Sequence, residues 1–216
     1  MVRVKICGLT EPAGVRTALD AGADYLGFVF AQNSPRTITP AEAAALAEPA
    51  RGKVKIVAVL VNPGDKQVKK VVDQLAPDFI QLHGRETPER VRTLWKRYHI
   101  PVIKSFSISS ARDVTDTNRY AHTASMFLLD AKAPKDTRQA GGHGLAFDWR
   151  ALLSAKLDKP WILAGGLTPD NVAKAIAQTH ARVLDVSTGV ESAPGIKDAQ
   201  KIAAFMLAAK QTGEVL

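Results

Sequence analysis

The sequence predicts an α/β fold, a single (β/α)8 barrel of the TIM type over residues 1–216, with ligand chemistry at the C-terminal ends of its strands. Three observations lead there. Eight short apolar runs recur along the chain, and nearly all are followed by a stretch with apolar residues at helical spacing. The 216 residues then divide into about 27 per strand–helix unit, the compact end of the barrel range. Finally, the turn after the first strand reads Cys7-Gly8-Leu9-Thr10, without the G-x-G-x-x-G of a doubly wound open sheet.

The first strand alternates Val2, Val4 and Ile6 with Arg3 and Lys5 and stops at Cys7, the only cysteine. Thr10-Glu11-Pro12 reads as a helix start, with a cap candidate and proline in the first turn. Val15, Ala18, Leu19 and Gly22 share one face of that helix. Tyr25–Phe30 is continuous and apolar, as a strand covered on both faces must be. A polar connection, Gln32-Asn33-Ser34-Pro35-Arg36, leads to Thr39-Pro40-Ala41-Glu42, which has the form of a capping box.

Ile56–Val61 is the third strand, and Asn62-Pro63-Gly64 turns it into a helix carrying Val68, Val71, Val72 and Leu75. Phe79–Gly84 is the fourth, followed by a helix from Thr87-Pro88-Glu89. Pro101–Phe106 is the fifth, with a weaker, polar helix over about 110–121, and Met126–Asp130 is the sixth. A long loop from Ala131 to Gly144 has the length of a lid or binding loop, and a short helix begins at Phe147-Asp148-Trp149. Trp161–Ala164 runs into Gly165-Gly166, and Thr168-Pro169-Asp170-Asn171 starts the next helix. Val183–Val186 is the eighth strand, and the last helix carries Ile202, Phe205, Met206 and Ala209.

The net charge of +8 comes from scattered basic residues, such as Lys66, Lys69 and Lys70. They are not interleaved with aromatics on one element, which favours solvated helix faces first, an anionic small substrate second and nucleic acid last. No nucleic-acid or membrane partner is therefore expected. A lone cysteine forms no internal disulfide, and residues 1–8 leave no room for a signal h-region, so a cytoplasmic setting is expected. The sequence leaves monomer and homodimer equally open.

In a barrel the strand ends converge on one mouth, which here collects Cys7, Arg36, His83, Asp130, Gly165, Gly166, Ser187, Thr188 and Gly189. Singly, each has an ordinary structural explanation, such as a buried thiol or a turn-forming aspartate. Their shared placement points to a site. Glycines after strands seven and eight suit a phosphate held by backbone N–H groups. No P-loop is present, since Gly189 and Gly195 are separated by five residues and Ile196 interrupts the Gly-Lys step. H-E-x-x-H, cysteine pairs and clustered acidic loops are absent from the sequence, so no metal is implied. A thiol and a carboxylate on one mouth suit proton shuttling, with the thiol lowered in pKa and the carboxyl raised. Arg36 offers a planar fork to a carboxylate.

These residues resemble the phosphoribosylanthranilate isomerase family of tryptophan biosynthesis. The matching motifs include Lys5-Ile6-Cys7-Gly8-Leu9-Thr10, Ser34-Pro35-Arg36, Gln81-Leu82-His83-Gly84 and Leu128-Leu129-Asp130. Leu163-Ala164-Gly165-Gly166-Leu167 and Gly189-Val190-Glu191 with Pro194-Gly195-Ile196-Lys197-Asp198 continue the order. The resemblance implies an Amadori rearrangement of N-(5-phosphoribosyl)anthranilate to 1-(o-carboxyphenylamino)-1-deoxyribulose 5-phosphate. By the same resemblance Asp130 is the general acid, Cys7 the general base and Arg36 the holder of the anthranilate carboxylate. Gly166, Ser187, Thr188 and Gly189 would then line the phosphate, and no cofactor is expected. Two positions differ from the usual pattern: His143 in Gly141-Gly142-His143-Gly144, and Thr188, which keeps a hydroxyl. The competing readings are the analogous sugar-phosphate isomerase of histidine biosynthesis and a non-catalytic phosphate-ligand or RNA-binding barrel.

Overall fold

The computed structural model of the chain describes residues 1–131, 149, 157 and 159–214. The expected long loop after the sixth strand, with His143, and the helix start at Phe147-Asp148 lie outside the described residues. The eight expected strands form: β1 (Arg3–Cys7), β2 (Tyr25–Val29), β3 (Lys55–Leu60), β4 (Phe79–Leu82), β5 (Val102–Ile108), β6 (Met126–Ala131), β7 (Trp161–Ala164) and β8 (Val183–Val186). They close in sequence order into a parallel barrel, β8 pairing back onto β1. The described helices are α1 (Pro12–Asp20), α2 (Pro40–Ala47), α3 (Asp65–Leu75), α4 (Pro88–Tyr98), α5 (Ala111–Thr115), α6 (Val172–Thr179) and α7 (Ala199–Glu214). The (β/α)8 barrel is therefore the observed fold.

Strand residues separate into two apolar layers. Val4, Ile6, Leu26, Phe28, Ile80 and Leu82 point outward and pack with the helices. Tyr25, Val57, Val59, Ile103, Leu128 and Ile162 point inward and fill the barrel. Both faces are covered, which explains the continuous apolar runs. Lys5, on the strand face opposite Val2, Val4 and Ile6, is fully buried inside the barrel.

Local signals mostly behave as their chemistry requires. Thr39 and Glu42 form the reciprocal capping box of α2, and Thr87 caps α4 through Arg90 N–H. Thr10 does not cap α1; Glu11 occupies that position, and the Thr10 hydroxyl donates instead to Gly195 O at 2.7 Å. The polar helix expected over 110–121 is a short α5 continued by a 3-10 turn, Asp116–Tyr120. After β8 the chain makes a 3-10 turn, Thr188–Val190, and then an antiparallel hairpin, β9 (Glu191–Ala193) and β10 (Ile196–Lys197), which the strand count did not anticipate. Among the described residues no helix is long and apolar enough to cross a membrane.

Candidate active site

A cavity of about 430 Å³ opens at the carboxyl ends of the strands, within the size range of small-molecule sites. All nine residues singled out at the strand ends line it: Cys7, Arg36, His83, Asp130, Gly165, Gly166, Ser187, Thr188 and Gly189. Gln81 and Asp185, which the sequence reading passed over, line it as well.

Cys7 closes β1 with its side chain inward, in register with Gly27 of β2. A methyl group on Gly27 would lie 2.9 Å from Cys7 Sγ and 2.9 Å from Lys5 Nζ. The missing side chain is what lets both groups occupy that layer. Burial pushes the Cys7 thiol above its ordinary pKa, Lys5 opposes this, and Asp185 adds to the rise. The direction is opposite to the lowered thiol that proton shuttling calls for. The physical reason is that the nearby cation is shared with a carboxylate while the barrel interior excludes water.

Asp130 is the penultimate residue of β6, paired in register with Ser107 of β5 and Ala164 of β7. His83, just past β4, brings Nε2 to 3.7 Å from Asp130 Oδ2 and 3.5 Å from Ser105 Oγ. Its Nδ1 lies 3.0 Å from Gln81 Nε2. Either ring nitrogen can carry the imidazole proton there, according to which end of the Gln81 amide it meets. Gln81 is buried, and among the described residues its Oε1 has no hydrogen-bond partner.

Arg36 reaches the mouth because the loop after β2 folds back, with Val29 bridged to Thr37 and Ile38 N–H donating to Val29 O. Gly8, at φ 75°, leaves room for its aliphatic stem, since a Cβ there would sit 2.5 Å from Arg36 Cδ. The guanidinium grips Glu191 with two bonds, Nε to Oε1 at 2.7 Å and Nη2 to Oε2 at 2.6 Å. Nη2 also meets Thr188 Oγ1 at 3.2 Å. One edge of the expected fork is thus already held by the protein. Among the described residues Nη1 carries no hydrogen bond.

Glu191 also accepts from Lys197 Nζ at 2.7 Å, and the β9–β10 register sets these two residues opposite each other. Burial works against the Glu191 carboxylate, but Arg36 and Lys197 outweigh it and hold its pKa below the ordinary range. Hydrogen bonding to Glu191 raises Arg36 further. Lys197 Nζ donates to Ser187 O at 3.1 Å, which ties this buried ion cluster to the loop after β8. Glu191 and Lys197 were visible only as motif members; their pairing needs the hairpin.

The two glycine loops meet. A Cβ on Gly189 would lie 1.9 Å from Leu167 O, so only glycine lets the β8 loop rest on the β7 loop. Gly165 and Gly166 take left-handed backbone, at φ 93° and 62°, and line the cavity; among the described residues nothing stands within 4 Å of a Cβ on Gly166.

Comparison with known proteins agrees with this geometry. Residues 4–208 match the family described as PRAI, N-(5'phosphoribosyl)anthranilate (PRA) isomerase. The N-(5'-phosphoribosyl)anthranilate isomerase of Paracoccus denitrificans is 49% identical over 215 residues, covering 100% of this chain and 99% of that protein. The phosphoribosyl anthranilate isomerase of Thermotoga maritima superposes with a TM-score of 0.88 at 37% identity, over 98% of this chain and 100% of that one. A further crystal structure, of such an isomerase with reduced 1-(o-carboxyphenylamino)-1-deoxyribulose 5-phosphate, gives a TM-score of 0.85 at 34% identity, covering 98% and 100% of the two chains. With match, fold and coverage in accord, the chain belongs to the N-(5'-phosphoribosyl)anthranilate isomerase family.

Proposed function

We propose that this isomerase of tryptophan biosynthesis carries out its Amadori rearrangement with Asp130 as general acid and Cys7 as general base. The observation that carries the reading is one cavity bounded by a carboxylate, a thiol and paired glycine loops. Asp130 protonates the furanose ring oxygen of N-(5-phosphoribosyl)anthranilate, and the ring opens to an iminium. Cys7 thiolate removes the C2 proton, and the electron pair left behind moves toward the iminium nitrogen, giving an enol-amine. Proton gain at C1 and loss from the C2 hydroxyl then give 1-(o-carboxyphenylamino)-1-deoxyribulose 5-phosphate. The substrate's own nitrogen is the electron sink, so no cofactor takes part.

The elevated Cys7 pKa makes thiolate scarcer but each thiolate a stronger base. Gly165, Gly166, Ser187, Thr188 and Gly189 hold the phosphate through backbone N–H groups and hydroxyls, and Arg36 meets the anthranilate carboxylate through Nη1. His83 stands beside Asp130, with Nε2 3.7 Å from Oδ2. The test is turnover of freshly prepared phosphoribosylanthranilate by the purified protein. Cys7→Ala and Asp130→Ala are each expected to lose at least about a hundredfold in kcat/KM, the usual reach of one acid–base group. Substrate decaying at its uncatalysed rate in the presence of the unaltered chain would end the reading.

A further inference from the structure

Lys5 is the least expected side chain in the barrel. It is fully buried on the inward face of β1, two residues before Cys7. Its register partner across the β1–β8 seam is Asp185, and Nζ meets Asp185 Oδ1 at 2.7 Å. On the other side Lys5 and Cys7 contact the same empty volume over Gly27, each 2.9 Å from where a Cβ would be. Both side chains point into the barrel from the same strand, two residues apart, so ammonium and sulfur are neighbours there.

A buried pair between Lys5 and Asp185 alone is a costly way to hold two strands together, since apolar residues of similar volume do as well. The third group of the layer gives the ammonium a task. We propose that Lys5 is a positioning residue for the thiolate of Cys7: held by Asp185 of the cavity wall, its ammonium is the internal counter-ion of the deprotonated sulfur. This rests on the reading of Cys7 as the base.

The electrostatics run in the same direction. Burial works against the charge on Lys5, but Asp185 and then Cys7 outweigh it and push its pKa up to about 12, so the cation persists across the working range. Lys5 is the largest influence drawing the Cys7 thiol downward, and Asp185 opposes it. The other charged groups facing the thiol are Lys197 of β10, which lowers it, Arg36 from the loop after β2, which interacts with it, and Asp130 across the cavity. Gly27 completes the device by leaving space for sulfur and ammonium in one layer.

The chain has one cysteine, so iodoacetamide alkylation as a function of pH reads this thiol alone. In Lys5→Met the alkylation midpoint is expected to rise by about one pH unit or more, and in Asp185→Asn to fall by a similar amount. The ascending limb of kcat/KM should move with it in both variants. A merely structural role for the pair would not move the midpoint in opposite directions. Should Lys5→Met fail to fold, Asp185→Asn decides: a fall supports the proposal, while an unmoved or raised midpoint overturns it. Cys7→Ala separates the two readings. If that variant turned over normally, the base assignment would fall, whereas the alkylation midpoints would still judge Lys5.

Discussion

Glu191 and Lys197 face each other across a two-strand hairpin at 2.7 Å, both side chains almost wholly buried, and the same carboxylate is gripped by Arg36. The last turn of the barrel is thereby bound to the loop after β2, with the cavity between them. One acidic side chain orients one of the two groups proposed to meet the ends of the substrate and steadies the loop of the other.

Replacing Glu191 should therefore act on stability and on affinity together. Glu191→Gln leaves Lys197 buried without its counter-ion, at a cost of ~3 kcal/mol, read as a lower urea midpoint. It also frees the Arg36 guanidinium, so KM should rise about tenfold or more through lost preorganisation. Arg36→Ala should raise KM with a smaller loss of stability, because its side chain is 20% exposed.

Acid should weaken the same contact. The Glu191 carboxyl is held below its ordinary value, so its stabilisation is fully present above the unfolded carboxyl pKa of about 4.3 and is lost as pH falls through the folded value. Urea midpoints at neutral pH and at about pH 3 should show Glu191→Gln losing less over that interval than the unaltered chain. An equal loss in both would remove Glu191 from the acid response.

The two glycine loops should respond differently to alanine. Gly189→Ala puts a methyl group 1.9 Å from Leu167 O, so the loops after β7 and β8 must part. Lower thermal stability and a raised KM are both expected. Gly166→Ala meets nothing within 4 Å, so its cost is the left-handed backbone, about 1–2 kcal/mol. Melting curves should place Gly189→Ala below Gly166→Ala.

The activity profile should carry the mark of a thiol raised by burial. If Cys7 is the base, kcat/KM of the unaltered chain should still be climbing at about pH 8.5, the ordinary thiol value. A plateau reached near neutrality would place the base elsewhere.

His83 gives a narrower test. Its Nε2 faces Asp130 at 3.7 Å while Nδ1 is held by Gln81. His83→Ala should lower kcat by about tenfold, less than the loss of a direct acid–base group, and leave the urea midpoint nearly unchanged, since the side chain is 36% exposed. A large fall in stability with unchanged kcat would make His83 a packing residue only.

Much of this molecule is legible along the chain. The apolar runs, the caps at Thr39 and Thr87, and the glycines after β7 and β8 are local signals, and local sterics and hydrogen bonding act the same in any fold. Parallel strand ends also share one side of a barrel, so the cavity residues could be gathered before any coordinates. What sequence could not decide is which partner each charge finds. Lys5 reads only as one residue of an alternating strand, and it is barrel closure that buries both faces and sets Asp185 beside it in register. Arg36 reads as a fork open to ligand, but the hairpin that aligns Glu191 with Lys197 claims one edge of it. The Cys7 thiol reads as lowered, yet its proton affinity depends on water excluded and on a cation shared across the β1–β8 seam. Residue type and spacing determined the elements and the mouth. Charge pairing over distant positions, which exists only once the barrel closes, decided their chemistry.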